Sequence, residues 1–430
     1  MLIPLVLVAA LSSCRANRVT GAMELGLISE STEIELGRSA APDIEEEYGG
    51  LCPDPLINAC VEEVGRKIAS VSHCSQIDCR FRVLNSSVVN AFALPGGLVY
   101  ITRGLLAKLT DESQLAAVLA HEVAHISAGD GTQRISKTMN TNALLAAGVA
   151  TAASKSAKDA REKAAAVSIA GNILSSSASN GYGREAEEHA DALGAEYVVR
   201  AGYPPQGITK AMELFQSLRS ARVPGVEEFF RSHPTMERRV DEVTKEIRKR
   251  FPDLPNIPLA DNEEEFRRRM SLFTAKNKAY DKFDEAKRAR AVGQLARALQ
   301  LVNEALAIQG ESPLFLGERA AVYLAMNDDR SAEADERRAR ELAPPTYDGR
   351  IGWGILLLRK GDFPEAEKEF EAAVDLRPAH HLGHYYLAES RYRMRKMAAA
   401  AEGFRTVLDR TEENPYVDDA RRRLKEIGGN

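Results

Sequence analysis

His121 and His125 stand four residues apart with Glu122 beside the first, in the run His121-Glu122-Val123-Ala124-His125. Residues four apart share one face of an α-helix, so both imidazoles can reach a single metal ion, and Glu122 is turned to sit beside a water bound to it. That is the arrangement of a zinc site built to hydrolyse peptide bonds. A third ligand is available in a second segment, where Glu187 and Asp191 are again four apart. Glu187 completes a two-histidine, one-glutamate set, one Zn2+ per chain, and Asp191 orients a ligand imidazole from behind. A closed structural site would want a fourth Cys or His, which the pentapeptide does not supply.

Helices must position these groups. From Asp111 to Ser127 the residues Leu115, Val118, Leu119, Val123 and Ile126 recur at helical spacing after an Asp start signal, which predicts a buried helix carrying both histidines. Glu187 and Asp191 lie on a second helix, from Arg184 to Val199. Upstream, the pattern gives helices around Ser29 to Tyr48 and from Pro55 to Val71, then strands over Arg80 to Leu84 and over Leu98 to Thr102, the latter introduced by Pro95-Gly96-Gly97. The Ala- and Ser-rich stretch from Ser136 to Ser179 is interrupted by charges too often to cross a bilayer, and reads as one or two helices near the site.

The C-terminal part repeats itself. Ala298, Ala332, Ala366 and Ala400 are spaced by 34 residues, and Ala286, Ala320, Gly354 and Ala388 keep the same step, as do Phe370 with Phe404 and Pro344 with Pro378. A period of 34 with small residues at helix contacts is the tetratricopeptide pattern, a stacked superhelix with a protein-binding groove. Arg421 to Ile427 would form a capping helix.

At the other end, Leu2 to Leu11 is an apolar run too short to span a bilayer, followed by Leu11-Ser12-Ser13-Cys14. These residues resemble the lipobox of bacterial lipoproteins, which implies acylation of Cys14, a lipid anchor and export; Arg15, rather than Asp, at the next position favours the outer membrane. The remaining cysteines, Cys52, Cys60, Cys74 and Cys79, are an even number, as a disulfide framework in an oxidising compartment requires. Three pairings are open, and the spacing is not that of a zinc knuckle. With 430 residues, a net charge of −5 and 28% charged residues, the chain is long enough for two or three domains and has no basic block for nucleic acid.

Five segments occur in the order and spacing of one family: Asn90-Ala-Phe-Ala-Leu-Pro-Gly-Gly, Val99-Tyr-Ile-Thr-Arg-Gly-Leu-Leu, the histidine pentapeptide, Glu187-Glu-His-Ala-Asp191, and Ser232-His233-Pro234 with Arg239-Val240. The chain resembles the CAAX-prenyl-endopeptidase-like zinc metallopeptidases, and its repeats and export signal are those of the soluble periplasmic branch. The resemblance implies zinc on His121, His125 and Glu187, with Glu122 as general base and Asp191 in support. It implies that His233 approaches the metal, either to stabilise the oxyanion or as a fourth ligand that keeps the enzyme latent, and that Arg239 supports the cleft. It also implies that Leu98, Val99, Tyr100, Ile101 and Thr102 form an edge strand that pairs with extended substrate.

The expected architecture is an α+β zincin-type catalytic domain, mostly helical with a small β-sheet, followed by an all-α tetratricopeptide superhelix. Its segments are a signal peptide with lipobox (1–14), a polar helical segment (15–50), the metallopeptidase domain (51–255), a linker helix (256–278) and about four repeats (279–430). The expected substrates are unfolded or misassembled envelope proteins, with outer-membrane assembly machinery as a partner of the repeats. The competing expectation is a chaperone or assembly scaffold that acts through its repeats and holds proteolysis in reserve.

Overall fold

The structure, a computed structural model, describes residues 13–21, 23–26, 30–134, 182–223, 225–233, most of 239–252, 263–378, 380–410 and 415–428. The apolar run at Leu2–Leu11 and the stretch from Ser136 to Ser179 lie outside the described residues. The chain divides into two compact units, Met1–Ala275 and Lys276–Asn430. Among the described residues no helix is long and apolar enough to cross a membrane.

In the first unit, strands β1 (Ser13–Ala16) and β2 (Met23–Gly26) form an antiparallel ribbon ahead of helix α1 (Glu30–Glu47) and helix α2 (Pro55–Ser70). Asp54 caps α2 by accepting from the backbone N–H groups of Leu56 and Ile57, and Pro55 supplies the preset first turn. Strands β3 (Arg80–Leu84), β4 (Ala91–Leu94) and β5 (Leu98–Thr102) make a sheet of order β3-β5-β4, with β3 parallel and β4 antiparallel to β5. Side-chain alternation sends Leu84, Phe92, Leu94, Leu98 and Tyr100 to one face, against Leu36, Ala40 and Ile44 of α1. Phe81, Val83, Ala91, Val99 and Ile101 go to the other, against α2 and the helix that follows. The sheet is thus the middle layer of three.

This topology corrects the expected docking strand. Residues 98–102 are the centre of the sheet, hydrogen-bonded on both sides, and have no edge left to offer. The β3 edge is covered as well. Glu62 of α2 accepts from the Phe81 N–H at 2.8 Å, and the Cys52 N–H donates to the Val83 carbonyl at 2.7 Å. Strand β4 is the other edge of this sheet, with no strand paired to its outer side among the described residues. The β4–β5 turn needs Gly96 at φ 83°, where an added Cβ would sit 2.5 Å from the Ile34 Cα of α1.

The expected disulfide framework is corrected too. Cys52, Cys60, Cys74 and Cys79 are buried thiols with no disulfide, packed as small apolar side chains in the core between α2 and the sheet. The Cys74 thiol lies 3.2 Å from the Ser72 hydroxyl, and burial raises Cys60.

Helix α3 (Arg103–Leu106) leads into α4 (Glu112–Ala128), which carries the histidine pentapeptide and is followed by α5 (Arg184–Arg200), α6 (Gln206–Ser220) and α7 (Val226–Ser232). Asp111 caps α4 by accepting from the Gln114 N–H, and Gly129 ends it in the left-handed conformation, φ 73°.

Helix α8 (Glu263–Ala291) opens the repeats, which continue through α9 (Leu295–Gln309), α10 (Pro313–Ala325), α11 (Asp329–Leu342), α12 (Tyr347–Lys360), α13 (Phe363–Leu376), α14 (His381–Arg393), α15 (Met397–Arg410) and a capping α16 (Pro415–Gly428). The small residues in 34-residue register are the contact points, with Ala286, Ala298, Ala320, Ala332, Ala366, Ala388 and Ala400 all fully buried. A Cβ on Gly354 would meet the Phe370 ring at 2.4 Å, so the close approach of α12 and α13 requires glycine there. The expected fold, a mostly helical domain with a small sheet followed by helical repeats, is the one found.

Candidate metal centre

Helix α4 runs through the core with every position but Glu112 and His121 buried, and presents the half-buried His121 and the buried His125 on one face. Helix α5 crosses beside it and supplies Glu187 and Asp191. Gly194 of α5 lies against the His121 backbone, where even a Cβ would come within 3.3 Å, so the two helices approach closely under the first histidine. Helix α7 ends at His233. The ligand atoms of His121, His125, Glu187 and His233 all lie within 4.8 Å of one another.

His121 Nε2 is 3.1 Å from His125 Nε2 and 3.3 Å from His233 Nδ1. The Glu187 carboxylate is 3.6 Å from His121 Nε2, 3.5 Å from His125 Nε2 and 3.2 Å from His233 Nδ1. Four donors at Zn–ligand distances of about 2.0–2.2 Å in a tetrahedron stand roughly 3.3–3.6 Å apart, so these spacings fit that ion. Charge fits as well. Glu122, Glu187 and Asp191 are all buried here, and among the described residues Arg239 is the buried permanent cation beside them.

Each ligand is held from behind. The His125 Nδ1–H donates to Asp130 Oδ2 at 2.7 Å, and the His121 Nδ1 faces Asp191 Oδ1 at 3.1 Å, so both rings turn Nε2 toward the centre. Tyr182 stacks on His125 with centroids 3.9 Å apart. Arg239 clamps Asp191 through Nε and Nη2 at 2.5 and 2.6 Å and reaches Glu187 through Nη1 at 2.5 Å. Burial alone would raise Glu187, but the imidazoles of His233, His125 and His121 outweigh it and hold the carboxylate well below its usual range. Asp191 is lowered because Arg239 and His121 outweigh its burial. Burial opposes charge on His125, yet Asp130 and Glu187 push its pKa up to about 10, whereas burial and the neighbouring His125 hold His121 below its usual value.

Glu122 is buried, its Oε1 3.5 Å from His233 Nε2, and its Oε2 has no hydrogen-bond partner among the described residues. An orphaned carboxylate oxygen beside a ligand cluster is the acceptor a metal-bound water needs. His233 Nε2 also faces the Ala91 carbonyl of β4 at 3.4 Å, so the unpartnered sheet edge borders the site.

The structure therefore brings together His121, Glu122, His125, Glu187, Asp191, His233 and Arg239, and leaves residues 98–102 in the sheet interior and His189 exposed on the outer side of α5. Asp130 and Tyr182 were missed by sequence reasoning. Asp130 had a signal: it follows the helix-stopping Gly129 directly, where the chain turns back toward the last turn of α4. Tyr182, at the end of an Ala- and Ser-rich stretch, had none.

A histidine pair and a buried carboxylate on one helix, with a glutamate from α5, are the arrangement of a zincin-type metallopeptidase domain. Residues 55–247 match Peptidase family M48 and residues 351–415 match the Tetratricopeptide repeat, so the chain carries an M48 peptidase domain followed by tetratricopeptide repeats. It is similar to the beta-barrel assembly-enhancing protease of Escherichia coli (strain K12), 28% identical over 198 residues that cover 44% of this chain and 39% of that protein. It is also similar to the mitochondrial metalloendopeptidase OMA1 of Schizosaccharomyces pombe, 34% identical over 116 residues (26% of this chain, 34% of the relative). Protease HtpX of Glaesserella parasuis is 32% identical over 182 residues (37% of this chain, 64% of the relative). The chain spans about two fifths of the length of the first of these relatives.

Proposed function

We propose that the protein is a zinc endopeptidase of the bacterial envelope, held latent by His233. The observation that carries this reading is the set of four ligand atoms from α4, α5 and the end of α7 within 4.8 Å, with the orphaned Glu122 oxygen beside them. Zinc on His121, His125 and Glu187 would lower the pKa of a bound water and polarise the scissile carbonyl. Glu122 takes the proton from the attacking water and passes it to the departing amine. Asp130, Asp191 and Arg239 keep the ligands aligned, and the unpartnered edge of β4 takes an extended substrate as an added strand. His233 Nδ1 stands 3.3 Å from His121 Nε2 and 3.2 Å from Glu187 Oε1, where it would be a further donor to zinc in place of water, and its withdrawal would give the active form.

The name of the Escherichia coli relative and the lipobox-like Cys14 support a periplasmic setting at the outer membrane, with misassembled envelope proteins as substrates and assembly machinery as a partner of the repeats. The test is zinc content and casein cleavage measured side by side for the chain beginning after Cys14 and for its Glu122→Gln and His233→Ala variants. Zinc in all three, cleavage absent only from Glu122→Gln and faster in His233→Ala, is the expected result. Zinc-loaded protein that cleaves nothing even as His233→Ala would defeat the peptidase reading in favour of a scaffold.

A further inference from the structure

The residue immediately after α1, Tyr48, lies outside the segment that matches the peptidase family, yet it reaches the elements that hold His233. Its hydroxyl donates to Glu228 Oε1 of α7 at 2.8 Å and accepts from Asn90 Nδ2 at 3.4 Å. Asn90 precedes β4 directly, and its Oδ1 accepts from the Ser232 hydroxyl at 3.3 Å. Glu228 and Ser232 are four apart and so share one face of α7. One phenol therefore ties that face to the head of the strand whose Ala91 carbonyl faces His233.

Helix α7 is held by Val226, Phe229 and Phe230 in the core, with the Phe229 ring stacked on Phe215 at 3.8 Å, and the tie fixes its polar face. The helix is seven residues long, starts at Gly225 with φ 82° and has no side-chain cap, so its place depends on tertiary contacts. His233 follows at its C-terminus, with its N–H donating to the Phe229 carbonyl at 2.8 Å and its ring 4.9 Å from the Phe229 ring. A shift of α7 by a fraction of the ligand spacing carries Nδ1 away from the metal position. Tyr48 itself is buried and fixed by its ring, 5.4 Å from Phe92.

We propose that Tyr48 is a positioning residue for His233, binding α7 to β4 through Glu228 and Asn90 and thereby setting whether His233 reaches the metal. The inference rests on the reading of His233 as a fourth ligand. Helix α1 thus closes the centre from outside the catalytic segment, and anything that moves the end of α1 opens it.

The test uses the full exported chain as wild type and as Tyr48→Phe, Glu228→Gln and His233→Ala. Zinc affinity is read by chelator competition, and the ligand field by the visible bands of the cobalt-substituted protein. Tyr48→Phe keeps the ring against Phe92 and removes only the hydroxyl. It should weaken zinc roughly tenfold, as loss of a ligand-orienting group does, and move the cobalt spectrum toward that of His233→Ala. Glu228→Gln keeps an acceptor and should stay near wild type. A Tyr48→Phe protein with wild-type affinity and spectrum, while His233→Ala shifts both, overturns the inference and leaves the ligand reading standing. A His233→Ala protein that shifts neither overturns the ligand reading and this inference with it. Should Tyr48→Phe fail to fold, Glu228→Ala breaks the same bond from the half-buried side and is read identically.

Discussion

Each unit contains an arginine laid across two carboxylates four residues apart on one helix. In the first, Arg239 spans Glu187 and Asp191 of α5; in the second, Arg391 spans Glu367 and Glu371 of α13, at 2.8 and 2.9 Å. The geometry is alike and the surroundings are not. Side-chain exposure is 3%, 0% and 4% in the first trio and 25%, 14% and 49% in the second. Around Glu187 three histidines compete for the same carboxylate, whereas Glu367 is paired with Arg391 and Lys396. The same clamp is thus a part of a convergent, desolvated centre in one place and a solvated staple between successive helices in the other. Burial and the company of other ligands, not the pairing itself, separate function from scaffolding.

The largest expected contrast is in rate. Glu122→Gln should reduce peptide hydrolysis about 10²–10⁴-fold with zinc retained, since the amide cannot take a proton. Glu371→Gln should leave the rate unchanged. Equal rates for the two variants would erase the distinction between the units. Next comes stability. Arg239→Met strands Glu187 and Asp191 in the interior and should cost about 3–5 kcal/mol in metal-free urea unfolding. Arg391→Met should cost about 1 kcal/mol or less, and less again in high salt. A large loss at Arg391 would show that the repeats bury their charge more completely than their exposure implies.

The repeats do hold buried acids of their own, Glu336 the most deeply buried of them. Glu336 occupies the position taken one and two periods later by Phe370 and Phe404, with a Cβ on Gly352 reaching only 2.5 Å from its Oε1. Burial, helped by Asp335, Asp348 and Glu369 and opposed by Arg340, raises its pKa from 4.5 to about 8. Between those values the folded state binds more protons than the unfolded one, so stability is highest at the acid end and is lost as pH rises toward 8. Glu336→Gln should remove that slope, a few kcal/mol in all, with the repeats followed by fluorescence of Trp353, the chain's one tryptophan. A slope that survives the substitution would assign it to another group.

Most of the centre could be read from the sequence because it is local. Helical spacing places His121 with His125 and Glu187 with Asp191, and a 34-residue period exposes the repeats without any tertiary information. Sheet order is not local. Residues 98–102 have the apolar, β-branched character of a strand, but that character says nothing of which neighbours pair with it, and two did. The short β4, four residues between Asn90 and Pro95, carried too little pattern to be recognised as the edge. The cysteines misled for a related reason: parity and spacing describe a possible framework, whereas the core around α2 accepts thiols as small apolar groups.

Asp130 offers the finest test of convergence. It lies one residue beyond the left-handed Gly129, so the helix stop itself swings its carboxylate back to His125 Nδ1 at 2.7 Å. That hydrogen bond fixes the tautomer with Nε2 toward the metal, and the negative charge makes the imidazole a better donor. Asp130→Asn keeps an oxygen that accepts the same bond but removes the charge, whereas Asp130→Ala removes both. Zinc affinity should fall in two steps, roughly tenfold for Asn and toward a hundredfold for Ala, and Ala should also cost the metal-free protein about 1–3 kcal/mol in urea unfolding because the buried His125 Nδ1–H loses its acceptor. If Asn and Ala weaken zinc equally, charge contributes nothing and orientation is the whole effect. If neither weakens it, the ring is held by the Tyr182 stack and the packing of α4 alone, and the centre is less electrostatic than the clamp at Arg239 implies.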